Sequence, residues 1–211
     1  MSSKLLFEEA FETYIDEKLR DLGYKTIRNV YVEYNGKKSQ IDIIAFTGKN
    51  IWCIECKSYN MDKLYFKRSS SQWRYKDLKG NIHYIHSPKR QNQNHIKVLM
   101  GVLYNGVDGE LYEKFNQGVP PVLNAIVFKA NDDLEGLSKY TRLDNGIYTE
   151  NNLHLLQYDN PMGDLSEMSK VIYNYLKQFN DDSPEKLREH IKYIEDCKLN
   201  KKGFFSDKED F

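Results

Sequence analysis

The stretch Ser39–Asn60, SQIDIIAFTGKNIWCIECKSYN, constrains the fold more than any other part of the chain. Ile41, Ile43 and Ala45 recur at every second residue, as do Trp52 and Ile54, which is the period of a pleated strand. Thr47-Gly48-Lys49-Asn50 supplies a turn between them, and with Gly48-Lys49 as its central pair a type II′ geometry is available, glycine first. That register sets Asp42 opposite Glu55 and Gln40 opposite Lys57. Cross-strand partners lie about 4.5–5.5 Å apart at Cβ, so two carboxylates and an ammonium converge on a volume suited to one divalent cation. Mg²⁺ takes oxygen ligands and few protein carboxylates. Ile43, Ile44, Ala45 and Phe46 are apolar on both faces, as in a central strand, where an acidic residue needs a partner or a task.

Upstream, the spacing predicts a helix over about 4–21, with Gly23 after it as a stop and Phe11, Ile15, Leu19 and Leu22 as its buried stripe. Glu8 falls near the middle of that face and Glu12 at its edge, so one of them, Glu12 or Glu8, is placed to complete a metal site. Tyr24–Tyr34 reads as a first strand leading through Asn35-Gly36 into the hairpin. Short strands follow from Leu64 to Ile85, with a turn at Lys79-Gly80-Asn81. A second helix runs from Pro88 to about Leu103, carrying Gln91, His95 and Leu99 along one face. His95 is a candidate ligand or phosphate contact. Val122–Phe128 reads as a buried strand, parallel to an earlier one, and Leu165, Met168, Ile172 and Leu176 mark a further helix. Ser183-Pro184-Glu185 starts another, and residues 198–211 read as a frayed tail.

The chain has 31 Lys or Arg against 31 Asp or Glu, but they are unevenly spread. From Ser58 to Met100 nine basic residues stand against Asp62 and Asp77, a local excess of seven, interleaved with Tyr59, Tyr65, Phe66, Trp73, Tyr75 and Tyr84. Cations among rings suit a polyanionic strand, through phosphate pairing and base stacking. Cys53, Cys56 and Cys197 make no disulfide framework. Cys53 and Cys56 are three apart in a strand and point to opposite faces, so they read as small buried hydrophobes rather than a zinc or redox pair. Nothing resembles a signal peptide or a membrane span, and a cytoplasmic, membrane-free protein is expected.

Helix, strand, Gln40-Ile41-Asp42, hairpin and Ile54-Glu55-Cys56-Lys57, in that order, resemble the PD-(D/E)XK nuclease superfamily and, within it, the nuclease-related domain (NERD) family. That family's first helix carries Gly-Glu-x-Gly-Glu-x-x-Val-x-x-x-Leu, which lays its second Glu on Glu12 and its apolar positions on Ile15 and Leu19. Glu8 and Phe11 stand where it has glycines. Its tryptophan corresponds to Trp73, and its Asn-Pro-x-x-Gln-x-x-x-His pattern to Ser87-Pro88 through Gln91 and His95, with Ser87 replacing Asn. The resemblance covers roughly residues 8–128 and implies an α/β fold with a restriction-endonuclease-like core, a mixed central sheet flanked by helices, in a domain over residues 1–160; the helical spacing beyond it reads as a C-terminal extension over 161–211 that the resemblance does not cover. The resemblance also implies a metal-dependent nuclease, an endonuclease acting on DNA rather than RNA. Asp42 and Glu55, with Glu12, would hold Mg²⁺ or Mn²⁺, Lys57 would orient water or stabilise the transition state, and Gln40 would assist. Lys67, Arg68, Trp73, Arg74, Lys89, Arg90, Gln91 and His95 would contact nucleic acid. A catalytically inactive module that binds DNA or a protein is the alternative, and the tyrosines and acidic C-terminal helices could serve a homodimer.

Overall fold

The computed structural model describes residues 3–59, 61–66, 70–105, 120–130 and 146–180. A mixed five-stranded sheet forms the centre, in the order β1 (Lys25–Tyr34), β2 (Lys37–Phe46), β3 (Ile51–Lys57), β7 (Val122–Phe128), β8 (Ile147–Thr149). The first three strands are consecutive and antiparallel; β7 runs parallel to β3, and β8 parallel to β7. Two turns account for the hairpins. Asn35 and Gly36 both take positive φ, 49° and 71°, which a type I′ connection needs, and Gly48 takes φ 79° at the first central position of the β2–β3 turn.

α1 (Ser3–Asp21) and α2 (Pro88–Asn105) pack on opposite faces of the sheet. α1 sets Phe11, Ile15 and Leu19 against Ile43, Ala45, Trp52, Ile54 and Cys56. α2 sets Val98, Leu99, Val102 and Leu103 against Ile27, Val30, Ile41, Ile44 and Cys53 on the other face. Side chains such as Ile15, Leu19 and Leu99 are 0 % exposed, each burial contributing about 1.5–3 kcal/mol. Leu22 does not join the stripe: it lies past the last helical residue and is exposed. Cys53 and Cys56 fall in opposite layers, as strand alternation requires, and burial pushes both thiols well above their usual range.

The alternation breaks at one place. In β1, Ile27 and Val30 lie in the same layer although they differ by three; in β2, Ile41 and Ile44 do likewise. Both pleats change phase together, and the β1–β2 ladder keeps its register while skipping one pair, Asn29 and Asp42. Asn29 takes φ 47° there, a left-handed conformation that asparagine accepts better than most residues. Ile41 therefore faces α2 while Ile43 and Ala45 face α1, which the two-residue spacing by itself would not give.

A smaller antiparallel sheet, β4 (Met61–Tyr65), β5 (Gln72–Asp77) and β6 (Ile82–His86), stands beside the main one. Met61, Leu64 and Trp73 fasten it to Ile126, Phe128 and Ile147. After β8, a 3₁₀ turn (Leu153–Gln157) is tied to the hairpin, because Trp52 Nε1 donates to the Leu156 carbonyl at 3.1 Å and Asn50 Nδ2 to the Asp159 carbonyl at 2.7 Å. α3 (Ser166–Leu176) then buries Ile172 and Leu176 in the α2-side layer. The helix expected from Ser183 and the tail lie outside the described residues.

Candidate active site

The β2–β3 ladder pairs Ile43 with Ile54, Ile44 with Cys53, Ala45 with Trp52 and Phe46 with Ile51, then stops. The expected register is right, but Asp42–Glu55 and Gln40–Lys57 are not ladder partners. The pleat change at Asp42 turns its side chain across the gap, and Oδ2 accepts the Cys56 backbone N–H at 2.9 Å, replacing the lost strand pairing. Gln40 lies opposite Tyr31 on β1 and is exposed.

Glu55 is 2 % exposed. Its Oε1 accepts Lys57 Nζ at 2.5 Å, and its Oε2 lies 3.5 Å from His95 Nε2, beyond hydrogen-bond range. The His95 ring is held at its far side by a hydrogen bond between Nδ1 and Ser39 Oγ, while Nε2 is buried and makes none. One turn earlier on α2, Asn92 is wholly buried, donating through Nδ2 to the carbonyls of Cys53 at 2.7 Å and Ala125 at 3.1 Å and accepting from the Cys53 thiol. This amide locks α2 onto β3 and β7 and fixes where His95 hangs.

Three carboxyls crowd together. Burial pushes Glu12 up to about 8, with repulsion from Asp42 adding and Arg28 opposing. Burial pushes Asp42 up to about 7, with Glu55 adding and the Cys56 N–H opposing, and Glu8 adds a smaller repulsion. Glu55 is raised by burial against the pull of Lys57. Burial by itself would lower Lys57, but its attraction to Glu55 outweighs that and holds it charged. His95 is lowered, by burial and then by Lys57, so its imidazole is neutral near pH 7.

This constellation has the chemistry of a cation site. Carboxyls that raise one another's pKa are relieved by a positive ion, and each of the two strand carboxylates has one oxygen committed and one uncommitted. Among the described residues no group of three or more His, Cys, Asp or Glu side chains is placed to hold a metal ion by itself, so an ion here would depend on water or substrate for the rest of its shell.

Residues 3–129 match the family model described as the nuclease-related domain. The chain belongs to the NERD family. The crystal structure of a protein of unknown function, AF1548, is similar at 16 % identity over 68 % of this chain and 56 % of that one, with a TM-score of 0.30. The shared part spans little more than half of that protein's length. No curated protein matches the chain significantly.

The NERD match runs from α1 to the end of β7 and so contains Glu12, Asp42, Glu55, Lys57 and His95. Of the residues expected at a nucleic-acid surface, Arg74, Arg90 and Gln91 are exposed and Lys89 is half-buried. Trp73 is 2 % exposed and serves as an anchor of the small sheet, so it presents no face for stacking. His95 sits beneath the carboxylates rather than on the surface, and Lys67 and Arg68 lie outside the described residues. Sequence reasoning missed Ser39, Asn92, Arg28 and Asn29. Only Asn92 left a signal, a polar residue three before His95 on the helix face that meets the sheet.

Proposed function

We propose that this NERD chain is a metal-dependent nuclease that hydrolyses phosphodiester bonds, in DNA rather than RNA. The observation that carries the reading is the meeting of Asp42, Glu55 and Lys57 at the point where the β2–β3 ladder opens, with one oxygen of each carboxylate uncommitted. Asp42 and Glu55 would hold Mg²⁺ or Mn²⁺, and Glu12, the acid of α1 that acts on Glu55 and is acted on by Asp42, would reach it directly or through water. A bound divalent ion supplies Lewis-acid polarisation of the phosphate and a lowered pKa for attacking water.

Lys57 is charged, so its role is that of a donor: it orients water or the phosphate and stabilises the negative charge that builds up on the pentavalent phosphorus. Glu55 holds that ammonium in place at 2.5 Å. Gln40, uncharged and exposed, is available to a phosphate oxygen. Removing one charge-stabilising donor costs about 10²–10³ in rate. Lys57→Ala should therefore cut Mg²⁺- or Mn²⁺-dependent cleavage of labelled DNA by about that factor in gel assays, and Asp42→Ala, which removes a carboxylate proposed to hold the ion, should abolish it, while circular dichroism stays near wild type. Undiminished cleavage by folded variants would remove the assignment.

A further inference from the structure

The outer face of the small sheet carries a row that the active site does not use. By register, Arg74 of β5 lies between Tyr65 of β4 and Tyr84 of β6, so an aromatic, a cation and an aromatic stand side by side across three strands. The Arg74 guanidinium is 4.9 Å from the Tyr65 ring centre and Lys63 Nζ is 5.7 Å from it. Tyr84 is 64 % exposed. Beside this row opens a cleft of about 620 Å³, lined by Tyr65, Phe66, Gln72, Arg74 and Tyr84 among others. Strand alternation sets Trp73 and Arg74 on opposite faces; Trp73 anchors the sheet and, with Leu64, also reaches the lining of the cleft.

We propose that this face is a platform for an unpaired nucleic-acid strand, with a base stacked on Tyr84 or seated in the cleft and its phosphate paired with Arg74. The proposal rests on the nuclease reading and names the substrate class: single strands, flaps or frayed ends rather than intact duplex. Charge favours a polyanion, since the described part of the sheet and its turn holds Lys63, Arg74, Lys76 and Lys79 against Asp62 and Asp77, four minus two. Asp62 is itself engaged by Lys76 at 2.6 Å, and Asp77 by Asn81 and His83. The exposed rings then choose among polyanions, because only unpaired bases offer a face to stack on; in a duplex those faces are covered. Tyr59, two residues beyond Lys57, stacks on Tyr75 at 4.8 Å and, with Trp73, joins the inner face of the small sheet to the strand that carries Lys57.

The test is fluorescence anisotropy in EDTA, where no cleavage occurs, with a labelled oligothymidylate about twelve nucleotides long and a blunt duplex of equal length. The single strand should bind at least about ten-fold more tightly than the duplex; Tyr84→Ala should erase about ten-fold of its affinity, and Tyr84→Phe should retain it. Tyr84 is exposed, so neither variant should unfold the protein. Equal affinity for the two probes, or a Tyr84→Ala protein that binds the single strand as tightly as wild type, would overturn the platform. Mn²⁺-dependent cleavage, measured separately with Lys57→Ala as control, reports on the nuclease reading alone.

Discussion

On the proposed metal-dependent reading the crowding of carboxyls would tie metal binding to pH, and the size of the effect can be worked from Asp42. With its pKa near 7, Asp42 carries its proton through much of the mildly acidic range, and an entering cation must displace it. The ionised fraction of a group titrating at 7 rises about five-fold from pH 6 to 7 and under about two-fold from pH 7 to 8. Apparent Mn²⁺ affinity should follow that curve, and more steeply if Glu12, near 8, loses its proton as well. Calorimetric titration in buffers of different ionisation enthalpy reads both the affinity and the protons released. Stability of the metal-free protein runs the other way. Because the folded carboxyls bind protons more tightly than unfolded ones, stability is greatest below about pH 4 as far as these groups are concerned, and is lost as pH rises through about 7–8. Mn²⁺ should therefore raise the melting temperature more at pH 8 than at pH 6. An affinity flat between pH 6 and 7, or unaltered in slope by Asp42→Asn, would refute the reasoning.

Replacing His95 by Phe puts a larger apolar ring beside Glu55 and removes the Ser39 hydrogen bond; if the imidazole 3.5 Å from Glu55 tightens onto it when an ion binds, Mn²⁺ affinity should fall about 10–100-fold, read by calorimetry on a variant that is still folded. Asn29→Val puts a β-branched residue at φ 47° and should cost about 1–2 kcal/mol in urea denaturation. A Cβ added at Gly101 would lie 2.2 Å from the Tyr34 ring, so Gly101→Ala should destabilise by about 1–3 kcal/mol despite the gain in helix propensity. The same substitution in a Tyr34→Ala background should be nearly neutral.

The hairpin was legible in the sequence because its signals are local: a period of two, a glycine where φ must be positive, and apolar residues on both faces. The parallel placement of β7 followed from the same logic, a helix between two apolar runs. The phase change at Asn29 and Asp42 was not legible, because it depends on two strands bending together and each residue looks ordinary by itself. His95 shows the same limit. Its place on α2 could be read from helical spacing, but what lies across the interface depends on the Asn92 contacts, which join residues 32 positions apart or more. Trp73, expected among the nucleic-acid contacts, is buried instead, because short, half-polar strands do not declare which face is the inner one.

The skipped pair in the first hairpin has an evolutionary consequence. Restoring regular pleating in only one strand, by deleting Asn29 or Asp42 alone, would slide every later residue of that strand past its partner and turn half of the core outward. Removing both would leave a well-formed hairpin with no carboxylate at the gap. The irregularity can therefore be lost without shifting the hairpin only as a matched pair, Asn29 with Asp42.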